Sequence, residues 1–410
     1  MAKLFVEDLD LKGKKVISRV DFNVPIKDGK VDNDKRIRAS LPTIQYILDQ
    51  GASLILMSHL GRPDGQVKPQ FTMKPAADRL GELLGKPVKF VGDCVGPEVE
   101  AAAAALKPGE VLVLENLRFH LEEEGKGVDA DGNKIKADAA KVEAFRKGLT
   151  KLADVYVNDA FGTAHRAHSS MVGVDLPRAC GYLLKKEIDF LGDTLEAPEK
   201  PFVAVIGGAK ISGKIDVIEA LLPKVDKLII GGAMANTFFK AQGKEVGTSL
   251  VEDERIEMAK DLLSKGGDKI QLPVDCGVVD EMDFGARTCS EVTYVDADAV
   301  PAGKMIIDAG PKSVDAFSAI VKGAKTVVWN GPMGVFEIAE SAKGTFGVAK
   351  ALADATGNGA VTIIGGGDSV SAIEKAGLSE QVSHVSTGGG ASLEYLEGKA
   401  LPGVVALSDK

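Results

Sequence analysis

The chain has 410 residues, of which 45% are hydrophobic and 27% charged, and its formal net charge is −9. Such a length suggests two or three domains with ample core. The acidic balance excludes a molecule built as a whole to attract nucleic acid, so any anion site must be a local basic patch.

Four scattered cysteines with no CxxC pair fit a reducing compartment and no structural zinc site. MAKLFVEDLD has no long apolar core, and no run approaches about 18 apolar residues. Secretory and membrane-spanning readings are disfavoured, and a cytoplasmic protein is expected.

In chain order, the first strand expected is Lys15–Val20, stopped by DFNVP because Pro25 cannot donate to a ladder. A second runs Ala52–Met57 and ends in SHLGRP. Between them Leu41, Ile44, Ile47 and Leu48 recur at helical spacing, a βαβ pattern. Glu110–Leu114 and Asp154–Val157 read as further strands, with a helix at Val142–Leu152. The polar stretch 125–136 reads as an exposed loop or hairpin. Its Asp129, Asp131 and Asn133 fail the EF-hand pattern, because Lys134 and Ala140 stand where Gly and Glu are required. Tyr182 to about Leu195 is an amphipathic helix, and APEKP after it marks a linker. The second half repeats the βα rhythm with strands at Phe202–Ile206, Lys227–Ile230, Lys269–Pro273, Thr326–Trp329 and Val361–Ile364. The fold class is therefore α/β with parallel sheets.

Polar and glycine-rich signatures follow the strand ends, where open α/β sheets bind ligands. In the first half these supply Asp21, Asn23, Arg36, His59, Arg62, Arg118, His165, Arg166 and His168. So many cationic or imidazole groups on an acidic chain point to a small, multiply negative ligand. In the second half Val203–Ile206 runs into Gly207 and Gly208 and then a helical pattern at Ile215, Ile218, Leu221 and Leu222. Backbone N–H groups and a helix N-terminus would meet a phosphate there. Lys210 and Lys214, four apart, would share one face of a helical turn. Gly208–Lys214 fits most of the P-loop pattern, but Ile215 replaces the Mg²⁺-holding Ser or Thr. Asp368, in GGGDS, is the carboxylate best placed to hold Mg²⁺ instead, its bland alternative being an N-cap. Glu337 is a candidate for ribose hydroxyls. No nucleophile–base triad, His/Cys metal site or G-x-G-x-x-G dinucleotide fingerprint is found. A non-catalytic sensor would keep the arginines and glycine loops but could lose Lys210 or Asp368.

RVDFNVP at 19–25, MSHLGRP at 57–63, LENLRFH at 114–120 and DAFGTAHRAHSSMVG at 159–173 stand in order with GGAK at 207–210. WNGPMGVFE at 329–337, GGGDS at 365–369 and VSHVSTGGGASLE at 382–394 continue the series. Together they resemble the phosphoglycerate kinase family over nearly the whole chain. The resemblance implies phosphoryl transfer between 1,3-bisphosphoglycerate and ADP, with Mg²⁺ accompanying the nucleotide. It implies a monomer with two Rossmann-like three-layer αβα domains joined by a hinge. Residues 1–181 would bind phosphoglycerate, 182–200 would form the interdomain helix and linker, and 201–390 would bind nucleotide. Residues 391–410 would form a tail packing back on the first domain.

By the same resemblance Asp21, Asn23, Arg36, His59, Arg62, Arg118 and Arg166 form the phosphoglycerate site. Lys210, opposed by Arg36, would stabilise the transferring group, and Lys214 would be the second phosphate lysine. Asp368 would hold Mg²⁺ with the nucleotide and Glu337 the ribose. Asn330 and Pro332 would line the nucleotide site, together with Gly208, Ala209, Gly232, Gly366, Gly367 and Ser369. Gly388, Gly389 and Gly390 would present a helix N-terminus to the phosphate. Gly213 stands where many members have Asp, and Ser369 where Thr is usual.

Overall fold

In a computed structural model of the chain, which describes residues 3–410 apart from the side chains at 193–196, two six-stranded parallel sheets carry the architecture. The chain folds as two units. One reaches to Ile188 and takes in Ala400–Lys410; the other is Asp189–Lys399.

The sheet of the first unit runs in the order Arg178–Cys180, Val155–Asp159, Lys15–Val20, Ser53–Met57, Val111–Val113, Val88–Phe90. Its central strands are buried almost throughout instead of alternating, as strands covered on both faces must be. Successive side chains then feed opposite layers. Val16, Val20, Leu54 and Leu56 pack with Ile37, Ile44 and Leu80, while Ile17, Ile55 and Met57 pack with Val99, Phe145 and Leu149. That alternation is the physical content of a three-layer αβα unit. Ala400–Lys410 belongs here: the Asn158 amide donates to the Gly403 carbonyl at 3.2 Å, and Arg178 N–H donates to Ser408 Oγ at 3.1 Å.

The sheet of the second unit runs Ile270–Gln271, Lys227–Ile230, Phe202–Ile206, Thr326–Asn330, Val361–Gly365, His384–Val385. Val203, Val205, Val327 and Trp329 join one layer with Phe317, Val348, Leu352 and Ile373. This unit also holds an antiparallel three-stranded sheet, with Asp275–Val279 between Thr293–Asp296 and Met305–Ala309. The sequence reading has no counterpart for it. It also passes over Val88–Phe90, Arg178–Cys180 and His384–Val385, which are too short to show a period. Stretch 125–136 does form an exposed hairpin, Lys126–Val128 against Lys134–Lys136.

Two buried aspartates fix helices to the sheets. Asp159 Oδ1 accepts the N–H groups of Leu183 and Leu184 at 2.9 and 3.2 Å, capping the helix Tyr182–Glu196. Asp308 accepts from Gly344 N–H at 2.7 Å, at the start of the helix Lys343–Gly357. Burial pushes each carboxyl up to about 7, against the hydrogen bonds that favour the charged form. A carboxyl raised on folding contributes stability that is complete below its unfolded pKa and lost as pH climbs through its folded value. Asp308→Asn removes that titration. Its stability relative to the parent will therefore improve between about pH 4 and about pH 7, by up to about 1.4 kcal/mol per pH unit. Urea unfolding of both proteins across that range checks this; a difference independent of pH contradicts it.

Candidate functional site

In the first unit the site is built at the C-terminal ends of adjacent parallel strands. Lys15–Val20 starts both parts of the sheet, since later strands add on either side of it, and such a switch point opens a crevice. The strand carries a fully buried arginine, Arg19. Its Nε donates to Ser170 Oγ at 3.1 Å, its Nη1 to the Val20 carbonyl at 2.5 Å, and its Nη2 lies 3.1 Å from His59 Nδ1. Glu123, also buried, accepts from the same Ser170 through N–H at 2.9 Å and Oγ at 2.6 Å. Burial pushes the Glu123 carboxyl up, and Arg19 and Ser170 hold it back.

Burial and the charges of Arg19, Arg118 and His168 keep His59 well below its ordinary value. His168 is held down to about 3, first by burial and then by Arg118, Arg19 and Arg166. Both imidazoles are thus neutral at physiological pH. With Arg19 donating to Nδ1, the neutral His59 ring carries its proton on Nε2 and can offer that one donor.

Arg36, Arg118 and Arg166 lie close enough to shift these imidazoles. Arg36 Nη1 donates to Asp21 Oδ2 at 2.9 Å. Asn23 Oδ1 accepts Gly61 N–H at 2.9 Å, and Arg118 Nη1 donates to the Gly61 carbonyl at 2.9 Å, so the turn before Arg62 is held from two sides. Arg118 Nε lies 3.4 Å from Glu124. Arg62 and Arg166 are exposed, and neither makes an ion pair among the described residues. Positive charge therefore exceeds negative here, as a polyanion site requires. Arg19, Glu123 and Ser170 escaped the sequence reading. The signal was Arg19 itself, since a guanidinium in a buried strand must be paired.

In the second unit Phe202–Ile206 lies beside Thr326–Asn330, with Ile206 opposite Asn330. Here too the sheet grows to both sides of its first strand. The loops that follow touch backbone to backbone. Gly207 N–H donates to the Asn330 carbonyl and Gly208 N–H to the Pro332 carbonyl, each at 3.0 Å. A Cβ at Gly207 would meet the Pro332 oxygen at 2.1 Å, and one at Gly331 would meet the Gly207 oxygen at 2.1 Å. Glycine is required here for close approach. The expected role changes accordingly, since the Gly207 and Gly208 N–H groups serve the loop and are not left for phosphate.

A second expectation also fails. Lys210 and Lys214 do not share a helical face. Lys210 is extended (φ −132°, ψ 131°), a single 3₁₀ turn spans Ile211–Gly213, and the α-helix starts only at Ile215. Lys210 is exposed, whereas the Lys214 ammonium donates to Asn330 Oδ1. Burial lowers the Lys214 pKa, opposed by Asp368 and Glu397.

Val361–Gly365 ends in Gly366, whose φ of 88° turns the chain into the helix Gly367–Lys375. Gly366 is the cap residue, so Asp368 is not an N-cap; it lies exposed in the first turn. The Ser369 hydroxyl accepts Gly331 N–H at 2.5 Å and ties this helix to the neighbouring loop. Gly389 begins the helix Gly389–Leu396, and a Cβ there would lie 3.0 Å from Gly367 N. Asn330 Nδ2 is buried and finds no partner among the described residues.

A cavity of about 470 Å³ opens beside these loops. Gly208, Ala209, Gly232, Pro332, Glu337 and Asp368 line it, with Phe239, Leu250, Met305 and Val335 forming an apolar wall. An apolar slot with a few polar groups at one end suits a base and its phosphates. Of the remaining nucleotide-site candidates, Lys214, Asn330 and Ser369 lie behind it in the hydrogen bonds just described, and Lys210, Gly366 and Gly367 do not line it.

Among the described residues one group of metal-ligand types stands elsewhere, at Asp93, Cys94 and His120. Cys94 donates to the Glu115 carbonyl at 3.0 Å and His120 Nε2 lies 2.6 Å from Asp93 Oδ1. Burial pushes the thiol well up, so Cys94 is a hydrogen-bonded core residue.

The family model described as "Phosphoglycerate kinase" matches residues 6–399. The chain is 57% identical to a phosphoglycerate kinase of Moorella thermoacetica over 415 residues, covering 100% of both proteins. It is 56% identical to that of Gallus gallus over 413 residues, covering 99% of this chain and 98% of the relative. A solved structure of phosphoglycerate kinase from Coxiella burnetii superposes with a TM-score of 0.85 at 40% identity, over 98% of each chain. On two parallel sheets and with these relatives, the chain belongs to the phosphoglycerate kinase family and is an enzyme of reversible phosphoryl transfer from 1,3-bisphosphoglycerate to ADP, giving 3-phosphoglycerate and ATP.

Proposed function

We propose that the first unit binds the phosphoglycerate through Asp21, Asn23, Arg36, His59, Arg62, Arg118 and Arg166, and that the second binds the nucleotide. The single observation carrying this split is the separation of chemistries. Guanidiniums surround the first switch point, whereas glycine loops and an apolar cavity of about 470 Å³ mark the second. Arg62 and Arg166 take phosphate and carboxylate oxygens by charge-assisted hydrogen bonds. Asp21 and the neutral His59 orient the hydroxyl region. The apolar wall takes the base, Glu337 the ribose, and the 366–369 turn the phosphates. Gly208, Ala209, Gly232, Asn330, Pro332, Gly366, Gly367 and Ser369 shape that nucleotide site.

In transfer, a β-phosphate oxygen of ADP attacks the acyl phosphorus. The P–O bond to the acyl oxygen breaks, and its electron pair leaves as the carboxylate of 3-phosphoglycerate. The attacking oxygen is already anionic, so no general base is needed, and positioning and charge do the work. Arg36 and Lys210 neutralise the equatorial oxygens of the transferring group, helped by N–H groups at Gly389. Asp368, exposed in its helical turn beside the cavity, is the carboxylate that would hold Mg²⁺ with the nucleotide. When bound, that ion neutralises phosphate charge. Because donor and acceptor sit on different units, transfer requires them to approach, with bending near 182–200 and near 386–390. One chain carries both half-sites, which supports a monomer. Among the described residues no helix is long and apolar enough to cross a membrane.

Lys210→Ala will lower kcat by about 10²–10³, the loss of one donor worth about 2.7–4 kcal/mol in the transition state, while nucleotide binding persists. Steady-state kinetics with a nucleotide titration checks this, and a kcat within about threefold of the parent removes Lys210 from the role. Arg62→Ala and Arg166→Ala will weaken 3-phosphoglycerate binding and leave nucleotide affinity unchanged. Calorimetric titration of each ligand alone decides; equal losses for both ligands contradict the split.

A further inference from the structure

The ammonium groups of Lys210 and Lys214 depend on the turn between them, and that turn cannot hold itself. Ile211–Gly213 is a single 3₁₀ turn closed by one bond, Lys214 N–H to the Ile211 carbonyl at 2.8 Å. So short a piece is marginal alone. Two anchors fix it. One is the Ile211 side chain, fully buried. The other is Glu252, distant in sequence and only 9% exposed. Glu252 Oε1 accepts the Ser212 hydroxyl at 2.5 Å and Oε2 accepts Ser212 N–H at 3.1 Å. Glu252 is itself held: its N–H donates to Thr237 Oγ1 at 3.2 Å, and the Asn236 amide donates to the nearby Leu250 carbonyl at 3.1 Å. Thr237 and Asn236 are buried on the helix Met234–Ala241, so the clamp stands on a packed element.

We propose that Glu252 is a positioning residue for phosphoryl transfer, clamping the Ile211–Gly213 turn so that Lys210 and Lys214 are presented together at the nucleotide half-site. The inference rests on the role given to Lys210 above. Glu252 does not line the cavity, so it acts through the turn. Burial opposes its ionisation, but the Ser212 bonds, a bond from Ile211 and the Lys210 charge more than offset that, and the carboxyl lies below its ordinary range. It is therefore a carboxylate at neutral pH. Two acceptor oxygens and one negative charge are what the turn uses. Glutamine keeps the volume and one acceptor but supplies neither the second nor the charge.

The test is a double-mutant cycle on the full chain. Glu252→Gln will lower kcat by about tenfold to 10²-fold, because small displacements of a charge-positioning group are costly. KM for both substrates will stay within about twofold, since ground-state binding is untouched. In a Lys210→Ala background the same change will cost clearly less than in the parent, because its effect runs largely through Lys210, with only the Lys214 share left. A merely structural role would cost the same factor in both backgrounds, and that result overturns the proposal. So does an unchanged kcat in Glu252→Gln beside a collapsed Lys210→Ala, which sinks the clamp alone. An unchanged kcat in Lys210→Ala sinks the underlying role and the clamp with it. Should Glu252→Gln fold poorly, Ser212→Ala removes one of the two bonds with little loss of volume and will show a smaller drop in kcat at unchanged KM. A Ser212→Ala kcat equal to the parent's overturns the clamp too.

Discussion

Parallel pairing of Phe202–Ile206 with Thr326–Asn330 is the constraint on which the proposed nucleotide half-site depends. Parallel strands need crossovers, so each strand leaves its C-terminal end at the same edge. The loops from adjacent strands must then share one small space. They fit only where no Cβ intervenes, as at Gly207 and Gly331. Ser369 and Asn330 link the third loop and Lys214 to that contact. These loops thus hold one another in place, the kind of preorganisation that electrostatic catalysis needs.

The other unit solves a different problem on the same topology. It must concentrate positive charge without protonating its histidines, and it does so by burial. Arg19 is paired inside the sheet with Ser170 and shares it with Glu123. Burial first, and then the charges of Arg19 and Arg118, keep His59 and His168 neutral. The guanidiniums nearer the surface, Arg62 and Arg166, are exposed and make no ion pair among the described residues. On a chain with net charge −9, the positive potential of this patch is local.

Much of this was legible in the sequence, for identifiable reasons. Lys15–Val20, Phe202–Ile206 and Lys227–Ile230 are strands with the expected bounds, because continuous apolar runs stopped by polar or glycine residues have few alternatives. The strand-end signatures put the candidate ligand residues at the C-terminal edge of each sheet. What stayed hidden depends on contacts between distant residues. Local spacing puts Lys210 and Lys214 on one helical face, but Glu252, fixed from another segment, holds a 3₁₀ turn there instead. Asp368 fits an N-cap by composition, but Gly366 takes that position because its φ of 88° begins the helix two residues earlier. The antiparallel strand Thr293–Asp296 is mostly exposed and carries no apolar run to betray it.

In the proposed mechanism two half-sites, each incomplete, react only when brought together. Water must be excluded as they meet, or the acyl phosphate would hydrolyse. Solution scattering measures this most directly, on the enzyme alone, with 3-phosphoglycerate, with a non-hydrolysable Mg-nucleotide analogue, and with both. The radius of gyration will fall when both ligands are present and not with either alone. Identical scattering in all four states, from protein that is catalytically active, would contradict the account.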